Sequence, residues 1–384
     1  MVESFSLVAA LIGLSFLGYV MGKDPTISPV MSHSHSRQGR LFPFYTIGRF
    51  ANEQCTGANQ MIGTCVVKGE CGDGGGIPAG SCSTVTNQAV CCTYQKSCGG
   101  VTEAETTYFY NKNYPGTYPG GGRCSLTVKP SDSNICQIRI DFLAFSLAPP
   151  NGDGVCNSDS FTVAGGASRA PRICGENSGQ HVYVDYNGES PISINVDTTG
   201  SYSFNRQFQF QVTQIPCGSD KRAPSGCLQY HLESEGTVQS FNYVSSGNSL
   251  PNSIGVQGTR QLSSLQYGIC VKMASSQCSI TWAQVSSDTY SFTMTNDVGA
   301  IDPSLLGTID VQSQDCTTDF VIIPNPDQGN GLMPSDRFCG LGMVSTTSNV
   351  KPFVLYVVHD SNEDLDIANR GFHLSYSQNS CPIV

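Results

Sequence analysis

The chain has 384 residues, of which 13% are charged, and a formal net charge of -10. That balance excludes a nucleic-acid partner, because phosphate binding needs clustered Lys and Arg and no basic stripe is present. With 41 glycines, 20 prolines and an even count of 18 cysteines, the composition points to a turn-rich chain stapled by disulfides in an oxidising compartment. Zinc is the rival explanation for cysteine clusters, yet no Cys-x-x-Cys pair occurs.

Residues 1–22 read as a signal peptide. The apolar run "SFSLVAALIGLSFLGYVMG" is followed by Lys23 and Asp24, and Val20 and Gly22 suit a signal peptidase. No other apolar stretch approaches the roughly 20 residues that a bilayer span needs. The expectation is therefore a secreted, extracellular protein with no membrane span after signal removal; a retained anchor is the alternative. Residues 23–54 form a polar linker, and "RQGR" from Arg37 to Arg40 resembles a minimal processing site for furin-like proteases.

Six cysteines then fall within residues 55–92, a segment too short to bury much core and so dependent on staples. The remaining twelve divide into two sets of six, spanning 98–217 and 227–381. Four landmarks recur in order. "RCSLTVKPSDSNICQIRIDF" answers "GICVKMASSQCSITW", "CNSDSFTV" answers "CTTDFVII", "RICGEN" answers "RFCGLG", and "RQFQFQVTQIPC" answers "RGFHLSYSQNSC". This is an internal repeat. Within it, "QIRIDF" and "RQFQFQV" alternate apolar and polar residues, as do "HVYVDY" and "FVLYVV", which predicts antiparallel sheets with one buried face. Each repeat is most simply a β-sandwich.

The order of the first six cysteines, ending in the adjacent pair Cys91–Cys92, resembles the clip domain of arthropod extracellular proteins. That resemblance implies Cys55–Cys91, Cys65–Cys82 and Cys71–Cys92. "CGGVTEAETTYFYNKNYPGTYPGGGRCSLTV" is similar to the opening of a CUB domain, and Cys156-x-x-Asp159, Cys174-Gly175 and "FQFQV" fit the same family. The second repeat keeps Cys316-x-x-Asp319, Cys339-Gly340 and Gly371-Phe372. The fold class expected is all-β: two CUB-like antiparallel β-sandwiches (98–217 and 227–381) preceded by a small disulfide-rich clip-like module (55–92). The arrangement resembles a group of secreted arthropod CUB domain-containing proteins.

The CUB resemblance implies Cys98–Cys124, Cys156–Cys174 and Cys316–Cys339. The extra cysteines recur at matching landmarks, which favours Cys136–Cys217, Cys227–Cys270 and Cys278–Cys381. A local alternative stays open, with Cys124–Cys136 and Cys270–Cys278 across hairpins and Cys98–Cys217 and Cys227–Cys381 closing each repeat.

CUB domains often hold calcium at one end of the sandwich, through a glutamate before the third cysteine, an aspartate three residues after it, and a late-loop aspartate. The resemblance carries this set onto Asp159 and Asp197 in the first repeat, and onto Asp319 and Asp360 with Asn362 in the second. Oxygen donors of this kind suit a hard cation. The glutamate is where both repeats depart: Ala148 stands near its position in the first, where Asp153 is the nearest substitute, and Asp310 and Asp315 are the nearest acids in the second. The bland alternative is that Asp159 and Asp319 bond loop backbone and mark the fold.

No protease or esterase motif is present, and His181 and His359 read as half-buried strand residues rather than bases. The function expected is non-enzymatic binding of another extracellular macromolecule, a protein or matrix ligand, through the CUB-like pair. The alternatives are a structural matrix or cuticle component and a non-catalytic regulator of an extracellular protease cascade.

Overall fold

The computed structural model describes residues 53–82, 89–295, 304–308, 310–312, 314–331, 333–364 and 367–382. The expected signal peptide, nearly all of the linker, and Arg37–Arg40 lie outside these residues. The architecture is all-β, with one short helix, Lys68–Asp73, among the described residues.

The first sandwich packs an eight-stranded sheet on a four-stranded one. The alternation read in "QIRIDF" becomes the long strand Ile135–Ser146, which pairs antiparallel with Gln207–Pro216 and His181–Asp185. Its inward residues Ile138, Ile140 and Phe142 are fully buried. They meet Leu126, Phe161, Ile194 and Val196 from the facing sheet of Gly100–Thr102, Gly122–Val128, Ile192–Thr198 and Asp159–Ala164. Phe142, Phe145, Phe161 and Phe210 form an interlocked ring cluster with centroids 4.8–5.8 Å apart, the offset and edge geometry that aromatic quadrupoles favour.

The cysteine-rich segment does not stand apart from this sandwich. Strand Ala89–Lys96 pairs antiparallel with Ile62–Val67 through Cys92 and then, from Tyr94, parallel with Thr106–Tyr110. One strand therefore belongs both to the stapled segment and to the large sheet. Tyr108 Oη accepts the Ile62 N–H at 2.7 Å and fastens the two further.

The second sandwich repeats the plan with two six-stranded sheets. One contains Cys227–His231, Gln266–Val271 and Phe353–Val358; the other is built on Gly371–Ser380 and Gln277–Gln284. Trp282, Phe292, Phe338 and Phe353 fill its centre. Nine disulfides close the molecule: Cys55–Cys91, Cys65–Cys82, Cys71–Cys92, Cys98–Cys124, Cys136–Cys217, Cys156–Cys174, Cys227–Cys270, Cys278–Cys381 and Cys316–Cys339.

The two sandwiches meet through a seam that combines apolar packing with hydrogen bonds. Gln180 donates to the Ser240 carbonyl and accepts from Gln229, while Asn242 bonds both Asn177 and the Glu176 N–H. Gly175, at φ 78°, lies so close to Asn242 that an added Cβ would sit 1.9 Å from its Oδ1. Only glycine fits there.

Candidate functional site

In the first sandwich, Asp159 opens strand Asp159–Ala164 and is buried, as is Arg206, which immediately precedes strand Gln207–Pro216 of the facing sheet. The guanidinium grips the carboxylate at both ends, Nε to Oδ2 at 2.7 Å and Nη2 to Oδ1 at 3.0 Å. The Ala148 N–H donates to Oδ2 at 2.8 Å and the Thr199 N–H to Oδ1 at 3.2 Å. Arg206 Nη1 donates to the Pro119 and Phe204 carbonyls. Each carboxylate oxygen thus accepts two bonds, and the charge is matched by an internal cation.

The other two acids expected here are engaged elsewhere. Asp197 sits opposite Arg123 in the ladder and forms a bidentate, solvent-facing pair with it at 2.6 and 3.2 Å. Asp153 accepts the Ser253 N–H at 2.7 Å and bonds Asn151, so it ties a loop of the first sandwich to the second.

The second sandwich places the equivalent residues differently. Arg370, which answers Arg206 in the repeat, stacks on the Tyr290 ring at 3.6 Å and donates to the Ser245 and Ala368 carbonyls. Asp319 is left without it. Its oxygens accept the Asp360 N–H at 2.9 Å and the Gln261 side-chain amide. Ligand oxygens of Asp319, Asp360 and Glu363 all lie within 4.8 Å of one another. Asp319 and Glu363 are buried. Burial pushes the Asp319 carboxyl up from the ordinary aspartate range and the Asp360 charge adds to this, against the pull of His359, the Asp360 N–H and Gln261. Asn362 shapes the loop, donating its N–H to Asp360 Oδ1 at 2.8 Å.

His359 lines the same region. Its Nδ1–H donates to the Leu262 carbonyl at 2.9 Å, and its buried Nε2 has no partner. A second group of close ligand atoms, on Cys55, Cys65 and Cys82, belongs to disulfides and offers no thiolate. The third acid of this cluster does not come from the segment before Cys316. Glu363 comes from the late loop "VVHDSNEDLD", where an acid three residues beyond Asp360 was the available signal. Three crowded carboxylates, two of them buried, form a donor set that could hold a metal ion.

Family comparison agrees with this two-sandwich plan. The CUB domain family matches residues 98–208, and the animal CUB domain family matches residues 224–379. The chain carries two CUB domains. Among solved structures it is similar to the CUB1-EGF-CUB2 domains of rat MASP-1, at 12% identity over 74% of this chain and 100% of that one, with a TM-score of 0.26. The corresponding human MASP-1/3 fragment gives 14% identity, 72% and 100% coverage, and 0.25. The MASP-1 CUB2 domain bound to Ca2+ gives 19% identity over 30% of this chain and 98% of that one, with 0.26. CUB domains are non-catalytic modules, typically of extracellular protein interaction, and that role fits CUB domains 1 and 2 here. Among the described residues no helix is long and apolar enough to cross a membrane.

Proposed function

We propose that this chain is a secreted, non-enzymatic binding protein whose two CUB domains engage another extracellular protein or matrix ligand, and that only the second domain uses calcium. The observation that carries the calcium reading is the contrast at the repeated aspartate. Asp159 is saturated by an internal guanidinium, whereas Asp319 is crowded by Asp360 and Glu363. Those three side chains would hold the ion, which would neutralise their repulsion and order the late loop; Asn362 would brace that loop. Arg206 stands in for a metal in CUB domain 1. Support for an extracellular setting comes from nine disulfides. Residues 55–92 would act as a clip-like, disulfide-held extension of CUB domain 1, with domains at 98–217 and 227–381.

Calcium titration followed by differential scanning calorimetry tests the ion, with magnesium and manganese as comparison ions. A calcium-dependent rise in one unfolding transition, lost in Asp319→Asn, is expected; no shift sinks the metal reading. Capture from extracellular fluid and from detergent-extracted matrix, with the intact protein as bait, tests the binding role. A saturable partner supports it. Recovery of the protein itself only in the insoluble fraction favours a structural role.

A further inference from the structure

The seam between the two CUB domains contains a histidine pair that the binding role does not use. His181 is the first residue of strand His181–Asp185, an edge of the first domain, and is 5% exposed. Across from it lies strand Cys227–His231, an edge of the second domain. The Tyr230 N–H donates to His181 Nε2 at 3.0 Å, so that nitrogen carries a lone pair and the ring is neutral. The His181 and His231 rings are 4.9 Å apart, one from each domain. His231 Nε2 is buried and has no partner.

The groups facing this pair offer little to balance an added charge. From the first domain come Arg139, whose guanidinium lies over Tyr183 at 5.5 Å, and Asp141, which is ladder partner to His181 but already paired with Arg139 at 2.7 Å. Tyr183 packs on His181. From the second come Tyr230, Tyr376 against the His231 ring, and Lys272, whose N–H donates to the His231 carbonyl and whose ammonium is paired with Asp220. The unpaired neighbours are neutral. A proton on His181 could reach the Tyr230 carbonyl at 3.1 Å, but it would leave the Tyr230 N–H facing another N–H. A proton on His231 as well would set two cations side by side across the seam.

We infer that the CUB–CUB junction is an acid-sensitive hinge, closed while His181 and His231 are neutral and opened when both take up protons. The two rings supply charge from opposite sides, so protonation separates the strands His181–Asp185 and Cys227–His231 rather than unfolding either domain. Burial first, then Arg139 and His231, hold the His181 imidazole well below its ordinary range, against the Tyr230 backbone contact. Burial and Arg139 hold His231 down to about 4. A histidine depressed in the closed form favours closure fully above its solvent value of about 6.5 and loses that contribution as pH falls towards the depressed value. Each ring then shifts the closed-to-open ratio about tenfold per pH unit below about 6.5.

Hydrogen exchange of the intact protein from pH 7.5 to pH 4.5, normalised for the intrinsic rate at each pH, reads the hinge. The expected result is a loss of protection at the Tyr230 amide of about tenfold per pH unit or more, while the buried amides of strands Ile135–Ser146 and Phe353–Val358 keep theirs. His181→Gln with His231→Phe retains an acceptor for Tyr230 and an aromatic ring against Tyr376, and it is expected to flatten the response. Unchanged protection at Tyr230 in the parent overturns the proposal, and so does the same loss in the double variant. Ring C–H resonances of the parent give a readout that needs no variant. Both rings should titrate in step with the loss of protection, and rings that titrate near pH 6.5 without it overturn the hinge.

Discussion

The two CUB domains keep the same aspartate and the same arginine at matching landmarks, yet join them in only one case. In the first domain Arg206 reaches Asp159 and the pair is sealed with four backbone contacts. In the second, Arg370 leans on Tyr290, and acids from the late loop surround Asp319 instead. A repeated residue therefore does not define a site. The neighbours around it do: one copy meets an arginine of the same chain, and the other meets two further acids.

Breaking the internal pair should have the largest effect. Arg206→Met strands a buried carboxylate and is expected to cost about 3–5 kcal/mol, whereas Asp159→Asn combined with Arg206→Met should recover most of that loss. Urea unfolding of the three proteins measures it, and a double variant no better than the single would refute the account. Arg370→Met removes a ring stack and two carbonyl contacts but strands no paired carboxylate, so about 1–3 kcal/mol is expected in the same assay.

Calcium at about one hundred times its dissociation constant should stabilise the second domain by about 2.7 kcal/mol and leave the first unmoved. Equal movement of both transitions would erase the distinction between the domains. A subtler comparison uses pH. Asp319 is raised above its unfolded value, so the metal-free domain carries a penalty at neutral pH that is relieved as pH falls through the raised value towards about 3.9. Asp319→Asn should then be the more stable protein at pH 7 without calcium, with the two unfolding midpoints converging on acidification. The smallest change is expected at Arg123→Ala, where an exposed pair is lost and the midpoint should not move measurably.

The sandwich fold was legible because burial follows a period of two: Ile138, Ile140 and Phe142 alternate in the text and all point inward. The duplication was legible from cysteine order. What the text hid was which side chains find one another. Arg206 stands 47 positions from Asp159 and heads a strand much as Arg370 does, so nothing in the two strings separates a salt bridge from a ring stack. Glu363 was hidden for another reason. It joins Asp319 and Asp360 from the late loop, while the family pattern directs attention to the segment before the third cysteine. The fusion of the stapled segment with CUB domain 1 was also masked, since a boundary drawn at Cys92 cuts through the strand Ala89–Lys96 that makes the join.

That shared strand has a mechanical consequence. Tension entering at Gln54 passes through the Cys55–Cys91 bridge into Ala89–Lys96, and from there into Thr106–Tyr110 along parallel hydrogen bonds. Residues 55–92 and CUB domain 1 are thereby joined by ladder hydrogen bonds as well as by the chain itself.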